Sequence, residues 1–200
     1  MELAGQFIHP DGSFGGEYAS RNTYNFFPHG FELVGKWLPT TLWINDQFLI
    51  GLKNGLAPCY ADDHIIGHHT WNYLLAWRDF VTERPIDMSR DVASVWLKEA
   101  QILIKRRPGV ELYVSLNKGG VFKLFRNQKL VASDTHSSLQ VSKGKKILNA
   151  VSHLSGNYDV KIFQDEIVIS GDMGWAKQTQ MSPLKLIICL LYTSDAADDW

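Results

Sequence analysis

Apolar residues in the first half of the chain recur at helical spacing. They follow a three-to-four-residue rhythm that Pro28 and Pro39 interrupt. The rhythm predicts helices over residues 26–38, 40–56 and 64–80, and a short fourth helix from 89 or 91 through 96. Asp62 or Asp63 is a plausible N-cap for the third helix, because a carboxylate there accepts from unpaired backbone N–H groups.

After about Lys98 the apolar residues alternate with polar ones instead. This period of two is typical of half-buried strands. The predicted strands cover residues 102–104, 112–116, 122–124, 147–151, 158–163 and 167–170. Turns occur often between them, as at Arg107-Pro108-Gly109, and no helical stretch intervenes. The second half therefore indicates an antiparallel sheet or sandwich, and the whole chain an α+β or two-domain arrangement.

Composition and charge narrow the possible functions. The 200 residues are 45% hydrophobic and 20% charged, as in globular proteins, and the formal net charge is −1. Without a basic run, nothing indicates a nucleic-acid-binding surface, and no such partner is expected. The longest apolar run, residues 186–191, is too short to span a membrane. Seven tryptophans serve core packing or stacking on sugars.

The segment at residues 11–24 concentrates polar chemistry in a glycine-rich stretch. It carries two carboxylates, an arginine, an asparagine, two tyrosines and three glycines, a set that suits the binding or deprotonation of a sugar acid. Tyr24 can act as a base where a cation lowers its pKa, and Arg21 and Asn22 can hold a substrate carboxylate. The structural alternatives are a surface loop of turn formers and a Tyr24 that extends the apolar face of Phe27 and Phe31.

Two other sets of residues offer different chemistry. Glu17 and Asp11 supply the two carboxylates that a glycosidase needs, although Asp11 before Gly12 also suits a turn. His64 and His68 share a helix face at a spacing that resembles half of a zinc site. No third ligand can be assigned, so neither a metal nor a cofactor is expected. The histidines then line a cleft as proton or hydrogen-bond donors, or take ordinary helix-face roles.

The phrase Asp11-Gly12-Ser13-Phe14, followed by Glu17, Ser20 and Tyr24, resembles a segment of heparinase II/III-like polysaccharide lyases. Residues 96–106 resemble the start of the β-domain in that family. The resemblance implies an α+β fold in which C-terminal helices of an α/α toroid, residues 1–95, precede an antiparallel β-sandwich, residues 96–188. It departs from the family at Asn25, where a histidine is usual, and in lacking a His-x-His-x-Asp phrase between residues 113 and 172.

For function, the resemblance implies action on an acidic polysaccharide by β-elimination next to a uronate. Tyr24 takes the catalytic acid/base role, with His64 or His68 assisting, while Glu17, Arg21 and Asn22 bind substrate. The alternative is a non-catalytic protein that binds a glycan during surface-polysaccharide production. A third hypothesis is a glycoside hydrolase that uses Glu17. If the resemblance holds, the location is the bacterial periplasm or cell surface.

The last residues have a separate origin in this interpretation. Residues 189–198 resemble the translation of a sequencing adapter, so residues 189–200 are expected to be an artefact. We therefore expect the natural sequence to be lost after about Ile188.

Overall fold

The computed structural model describes residues 2–19, 25–56, 63–85, 93–135, 137–144, 146–176 and 187. Its helices are α1 (Glu2–Gly5), α2 (Pro28–Gly35), α3 (Thr40–Lys53) and α4 (Asp63–Arg78). Pro28 opens α2, where its missing N–H costs no intrahelical bond, and Pro39 directly precedes α3. Three predicted helices are therefore present, although α2 is shorter than the predicted range of residues 26–38. The predicted N-cap Asp62 lies outside the described residues.

Ten strands follow the helices within the described residues. They are β1 (Ser94–Leu97), β2 (Ile102–Arg107), β3 (Val110–Ser115), β4 (Val121–Arg126), β5 (Lys129–Asp134), β6 (Ser138–Lys143), β7 (Lys146–Val151), β8 (Tyr158–Ile162), β9 (Ile167–Gly171) and β10 (Gly174–Ala176). The first five form one sheet in chain order. β10, β7 and β6 form a second sheet, and β8 with β9 a third. All neighbouring strands in these three sheets run antiparallel.

The five-stranded sheet buries residues on both of its faces because its side chains alternate. The residues Ile104 and Tyr113 are paired across β2 and β3, so they share what we call the first face. On that face they form a core with Tyr18 and Ala19 of what we call the N-terminal segment, residues 2–19. The second face carries Leu103 and Val114, which pack with Leu116 of the turn after β3 against β8 and β9. The sheet therefore lies between the N-terminal segment and the β8–β9 hairpin.

The helices have a smaller core of their own, built mainly from aromatic rings. Phe26 stacks on Phe48 at a ring distance of 4.3 Å and on Phe31 at 4.5 Å. Ile8 and Ile44 complete the buried set. Because Ile8 belongs to the same segment as Tyr18, the N-terminal segment contributes to the helical core and to the sheet core.

The predicted combination of toroid helices with a β-sandwich is wrong. The described chain is mostly β, with a small helical part whose longest helix, α4, has 16 residues. Helical spacing extends only over residues 26–80, and prolines divide it, which is too little helix for a toroid. The predicted fourth helix also fails at Trp96, which lies in β1, while residues 86–92 lie outside the described ranges. The sheet-rich second half remains compatible with a sandwich.

Candidate functional site

The described part of the candidate segment forms a tight turn against the first face of the sheet. Ile8 pairs with Phe14 in an antiparallel bridge, and Gly12 between them has φ +86°. A Cβ on Gly12 would lie 2.4 Å from the backbone nitrogen of Gly51 in α3. Glycine is required there by both the positive φ and the close approach. The turn is thus fixed between helix and sheet.

A buried chain of hydrogen bonds runs through this turn. Ser13 Oγ donates to Asp11 Oδ1 at 2.6 Å, so the serine oxygen accepts from His9 Nδ1 at 2.7 Å. His9 Nε2 then accepts from the hydroxyl of Tyr18 at 2.5 Å. These partners assign the Nδ1–H tautomer to His9, whose ring also stacks on Phe125 at 4.8 Å. These hydrogen bonds stabilise the turn, in which Asp11 accepts from Ser13.

A second polar chain ties the N-terminal segment to β2 and β3. The hydroxyl of Tyr113 donates to Glu111 Oε2 at 2.6 Å, and Arg106 Nε lies 3.4 Å from the same oxygen. Arg106 Nη1 also donates to Gln6 Oε1 at 2.9 Å. Because charged groups inside a protein need partners, this network satisfies the polar residues that the segment covers.

Two lysines contact the last residues described before position 20, Lys118 from the turn between β3 and β4 and Lys123 from β4. Lys118 Nζ donates to the backbone oxygens of Glu17 at 2.9 Å and Ala19 at 2.6 Å. Burial lowers the pKa of Lys118, and the nearby Glu17 charge opposes this shift. Lys123 Nζ lies 3.7 Å from Glu17 Oε2 and donates to the oxygen of Gly15 at 3.3 Å. Two cations therefore hold the chain directly before the predicted site residues.

A cavity of about 380 Å³ opens beside this part of the chain. Leu3, Phe7, Phe14, Ala19, Leu97 and Glu99 are among its lining residues. Its size lies within the range of small-molecule pockets. The walls of the cavity are mainly apolar. Glu99, between β1 and β2, adds a carboxylate to them.

The described residues that follow the candidate segment pack against α4. The ring of Phe27 stacks on His69 at 4.9 Å. His29 N donates to Asn72 Oδ1 at 2.9 Å, and His29 Nε2 lies 2.7 Å from Asp79 Oδ2. The start of α2 therefore lies along the helix that carries the predicted histidines.

The carboxylate of Asp79 accepts hydrogen bonds from two residues, Arg78 and His29. Arg78 donates to Asp79 Oδ1 at 3.0 Å and to Oδ2 at 2.8 Å. The hydrogen bonds from Arg78 and then His29 lower the pKa of Asp79 to about 2. Asp79 is therefore ionised at neutral pH and acts as a fixed acceptor for the His29 ring.

An ion pair between Glu32 of α2 and Arg84 holds the opposite side of α2 in place. Glu32 Oε1 accepts from Arg84 Nη2 at 2.6 Å and from Asn45 Nδ2 at 2.6 Å. Glu32 Oε2 accepts from Val81 N at 3.2 Å. Asp46 Oδ1 also lies 3.2 Å from Arg84 Nη2, and burial raises the pKa of Asp46 against the opposing effect of Arg84. This cluster connects α2, α3 and the chain after α4.

The predicted site residues fall into three groups. Tyr24, Arg21 and Asn22 lie outside the described residues, between the buried residues Ala19 and Phe26. His64 and His68 lie in the first turns of α4, where the description covers the backbone alone. Glu17 is described in full, and the two lysines contact it.

Sequence reasoning missed the pairs that hold these elements together. His9 with Tyr18 and Glu32 with Arg84 are buried polar contacts, and His29 with Asp79 joins residues 50 positions apart. Glu32 and Arg84 are 52 positions apart and His29 and Asp79 are 50 apart, so no local pattern in the sequence indicates these contacts.

The described residues contain neither a metal-ligand group nor a membrane-spanning helix. No three His, Cys, Asp or Glu residues there are grouped as metal ligands. Among the same residues, no helix combines the length and apolar character needed to cross a membrane. Comparison of the chain with protein-family models, with curated proteins and with solved structures found no match.

Proposed function

We propose that this protein acts on an acidic polysaccharide by β-elimination next to a uronate, as its resemblance to heparinase II/III-like lyases implies. The reaction removes the proton from carbon 5, beside the carboxylate, and expels the oxygen on carbon 4. In its simplest form Tyr24 carries out both proton transfers, as base and then as acid. Arg21 and Asn22 neutralise the negative charge that develops on the carboxylate, and His64 or His68 assists.

The stacking of Phe27 on His69 is the observation that carries this proposal. Phe27 is three residues after Tyr24, and His69 directly follows His68. One contact therefore joins a residue shortly after the candidate segment to the helix that carries the candidate histidines. This contact supports a common location for the two parts of the predicted site.

The surroundings of Glu17 suit an anionic substrate as well. Lys118, in the turn before β4, contacts the backbone of Ala19, and Lys123 on β4 lies near the Glu17 carboxylate, so both charges lie close to Arg21 and Asn22 in sequence. Cations at partly buried positions attract carboxylates more strongly than cations in open water. A uronate polymer, with one carboxylate on each uronate ring, meets this requirement.

The direct test is the appearance of unsaturated-uronate absorbance when the protein is mixed with uronic-acid polymers. We expect product from the wild type and a loss of rate on the order of 10²–10⁴-fold in Tyr24→Phe. Tyr158→Phe is the matched control, because it removes a hydroxyl from β8, which packs on the second face of the sheet.

The same experiment separates the alternatives. Binding of the polymers without product supports the non-catalytic glycan-binding protein instead. Release of saturated sugar ends that depends on Glu17 supports the glycoside hydrolase. Product from wild type and Tyr24→Phe at equal rates contradicts the role of Tyr24.

A further inference from the structure

A larger cavity, of about 550 Å³, lies between the second face of the five-stranded sheet and the β8–β9 hairpin. Its volume lies within the range of small-molecule pockets. Leu112 and Leu124 are paired across β3 and β4 and form its floor, while Ile167 and Ile169 of β9 form the facing wall. Because the N-terminal segment covers the opposite face of the sheet, this cavity is separate from the smaller one beside that segment.

Apolar side chains close the inner end of the larger cavity. Val114 belongs to the buried cluster of the second face, and Phe122 and Ile169 pack against that cluster. Leu112 and Leu124 form the next pair along β3 and β4 on the same face. Both are half-buried, so a ligand from solvent can reach them. The interior therefore suits an apolar ligand body, whose burial releases water from apolar surface.

Charged groups surround the outer end of this cavity. Lys105 and Arg107 are paired with β3 residues that line the cavity, so both cations lie on the same face as the floor. Asp165 and Glu166 lie opposite them, in the turn of the β8–β9 hairpin. Arg107 Nη2 donates to Asp165 Oδ1 at 2.6 Å, so these two charges offset each other.

The ammonium group of Lys105 keeps a donor for a ligand. It donates to the backbone oxygens of Phe163 at 2.9 Å and Gln164 at 3.1 Å, and an ammonium group has three N–H donors. Within the described part of the chain, no carboxylate forms an ion pair with it, whereas Arg107 has one. Arg126 shares this face of the sheet as well, because it pairs with a β3 residue that lines the cavity. Cations therefore outnumber acids at the outer end.

We propose that this cavity binds a small amphiphile with an apolar body and one anionic group, a fatty acid or an aromatic carboxylate, independently of the proposed function. The apolar body lies between Leu112 on the sheet and Ile169 on the hairpin. The anionic group accepts the remaining N–H of Lys105 at the outer end. A partly buried cation attracts an anion more strongly than a cation in open water does.

Isothermal titration calorimetry tests this site with laurate, below the concentration at which laurate forms micelles. We expect laurate to bind on the order of 10-fold more tightly than dodecyltrimethylammonium, which carries the same alkyl chain on a cationic group. Naphthoate, titrated in the same way, distinguishes the two kinds of apolar body. Tighter binding of laurate indicates an aliphatic ligand, and tighter binding of naphthoate indicates an aromatic one.

A filling variant tests the location of the ligand. Leu112→Trp places a larger side chain in the floor of the cavity and should abolish the binding of both carboxylates. Leu139→Trp is the matched control, because it adds the same side chain at an exposed position of β6, in a different sheet. It should bind both carboxylates as the wild type does.

A charge variant tests the contact with the anionic group. Lys105→Met keeps the apolar stem but removes the charge, so laurate binding should weaken on the order of 10-fold. Lys161→Met is the matched control. Its neighbour Val160 packs toward the sheet, so Lys161 lies on the outer side of β8. Laurate should bind to this control with wild-type affinity.

Thermal unfolding checks that each variant is folded. The proposal is overturned if the wild type binds neither laurate nor naphthoate, or if laurate and dodecyltrimethylammonium bind equally well. Unchanged laurate binding in a folded Leu112→Trp or Lys105→Met overturns the location. If either variant fails to fold, the comparison of the two head groups on the wild type still decides whether the site selects an anion.

Discussion

The ammonium group of Lys118 holds two backbone oxygens at the end of the described N-terminal segment. Replacing it with methionine preserves the apolar stem but removes both charged hydrogen bonds. Each hydrogen bond to a charged group contributes about 1.5–3 kcal/mol, and removal of a partly buried charge offsets part of the loss. We therefore expect Lys118→Met to lower the free energy of unfolding by about 3 kcal/mol. Urea denaturation measures this loss. The exposed Lys129→Met in β5 should change stability by less than about 0.5 kcal/mol.

Asp79 gives the protein an acid-dependent contribution to stability. Its pKa is lowered from the usual 3.8 to about 2 in the folded protein, so the unfolded chain binds a proton more readily. The contribution is complete above the unfolded pKa and disappears as pH falls through about 2. Asp79→Asn should therefore reduce the slope of stability against pH between about 4 and 2. Chemical denaturation at several pH values measures that slope, and an unchanged slope contradicts the assignment.

At the residue level, the sequence indicates local backbone conformations more readily than contacts between distant side chains. The Asp11-Gly12 turn could be predicted because glycine and aspartate have local backbone preferences. The partner of His29 could not be predicted, since Asp79 is 50 positions away and the contact depends on how α2 crosses α4. The same limit applies to Tyr18, whose burial against His9 requires the sheet.

At the scale of elements, Glu32 determines how α2 attaches to its neighbours. Glu32→Gln keeps the shape of the side chain but leaves Arg84 without its closest carboxylate. Breaking a buried ion pair costs about 3–5 kcal/mol, and Asp46, 3.2 Å from Arg84, offsets part of the loss. We expect a loss of about 3 kcal/mol in the free energy of unfolding, measured by urea denaturation. Glu83→Gln at an exposed position is the control, and an equal effect there contradicts the argument.

The contact between Gly12 and Gly51 gives a second prediction about elements. A Cβ on Gly51 would lie 2.2 Å from the backbone oxygen of Gly12, so Gly51→Ala must separate the turn from α3. Overpacking of this kind costs about 1–3 kcal/mol. Gly67→Ala in α4 is the matched control, because nothing lies within 4 Å of its added Cβ. Alanine favours helix by about 1 kcal/mol over glycine, so the two variants should shift the melting temperature in opposite directions.

Periodicity predicted individual elements better than it predicted their arrangement. The alternation of apolar and polar residues around Leu112 and Phe122 predicts two strands. The strands β3 and β4 confirm this prediction. The apolar spacing predicts a helix at Trp96, because a short apolar run does not separate helix from strand. Its strand conformation follows from pairing with Leu103 of β2, which a local pattern does not contain.

At the scale of the whole molecule, the order of helices and strands did not determine the fold class. Helices before strands agreed with the family resemblance, yet the described chain is mostly β. The resemblance rests on the short phrase around Asp11 and on residues 96–106, and neither constrains how many helices surround them. The packing of Tyr18 and Ile8 into different cores also has no sequence signal, because both are ordinary apolar positions.

The N-terminal segment should make the helices and the first sheet unfold together. Ile8 lies in the helical core and Tyr18 in the sheet core, and the buried His9 chain joins them. Tyr18→Ala leaves a cavity that should cost about 3–5 kcal/mol, by analogy with other aromatic truncations. Native-state hydrogen exchange should then show equal losses of protection in α3 and in β2–β4. A loss confined to the strands means that the helices fold independently, whereas Tyr158→Ala in β8 should leave α3 less affected than Tyr18→Ala does.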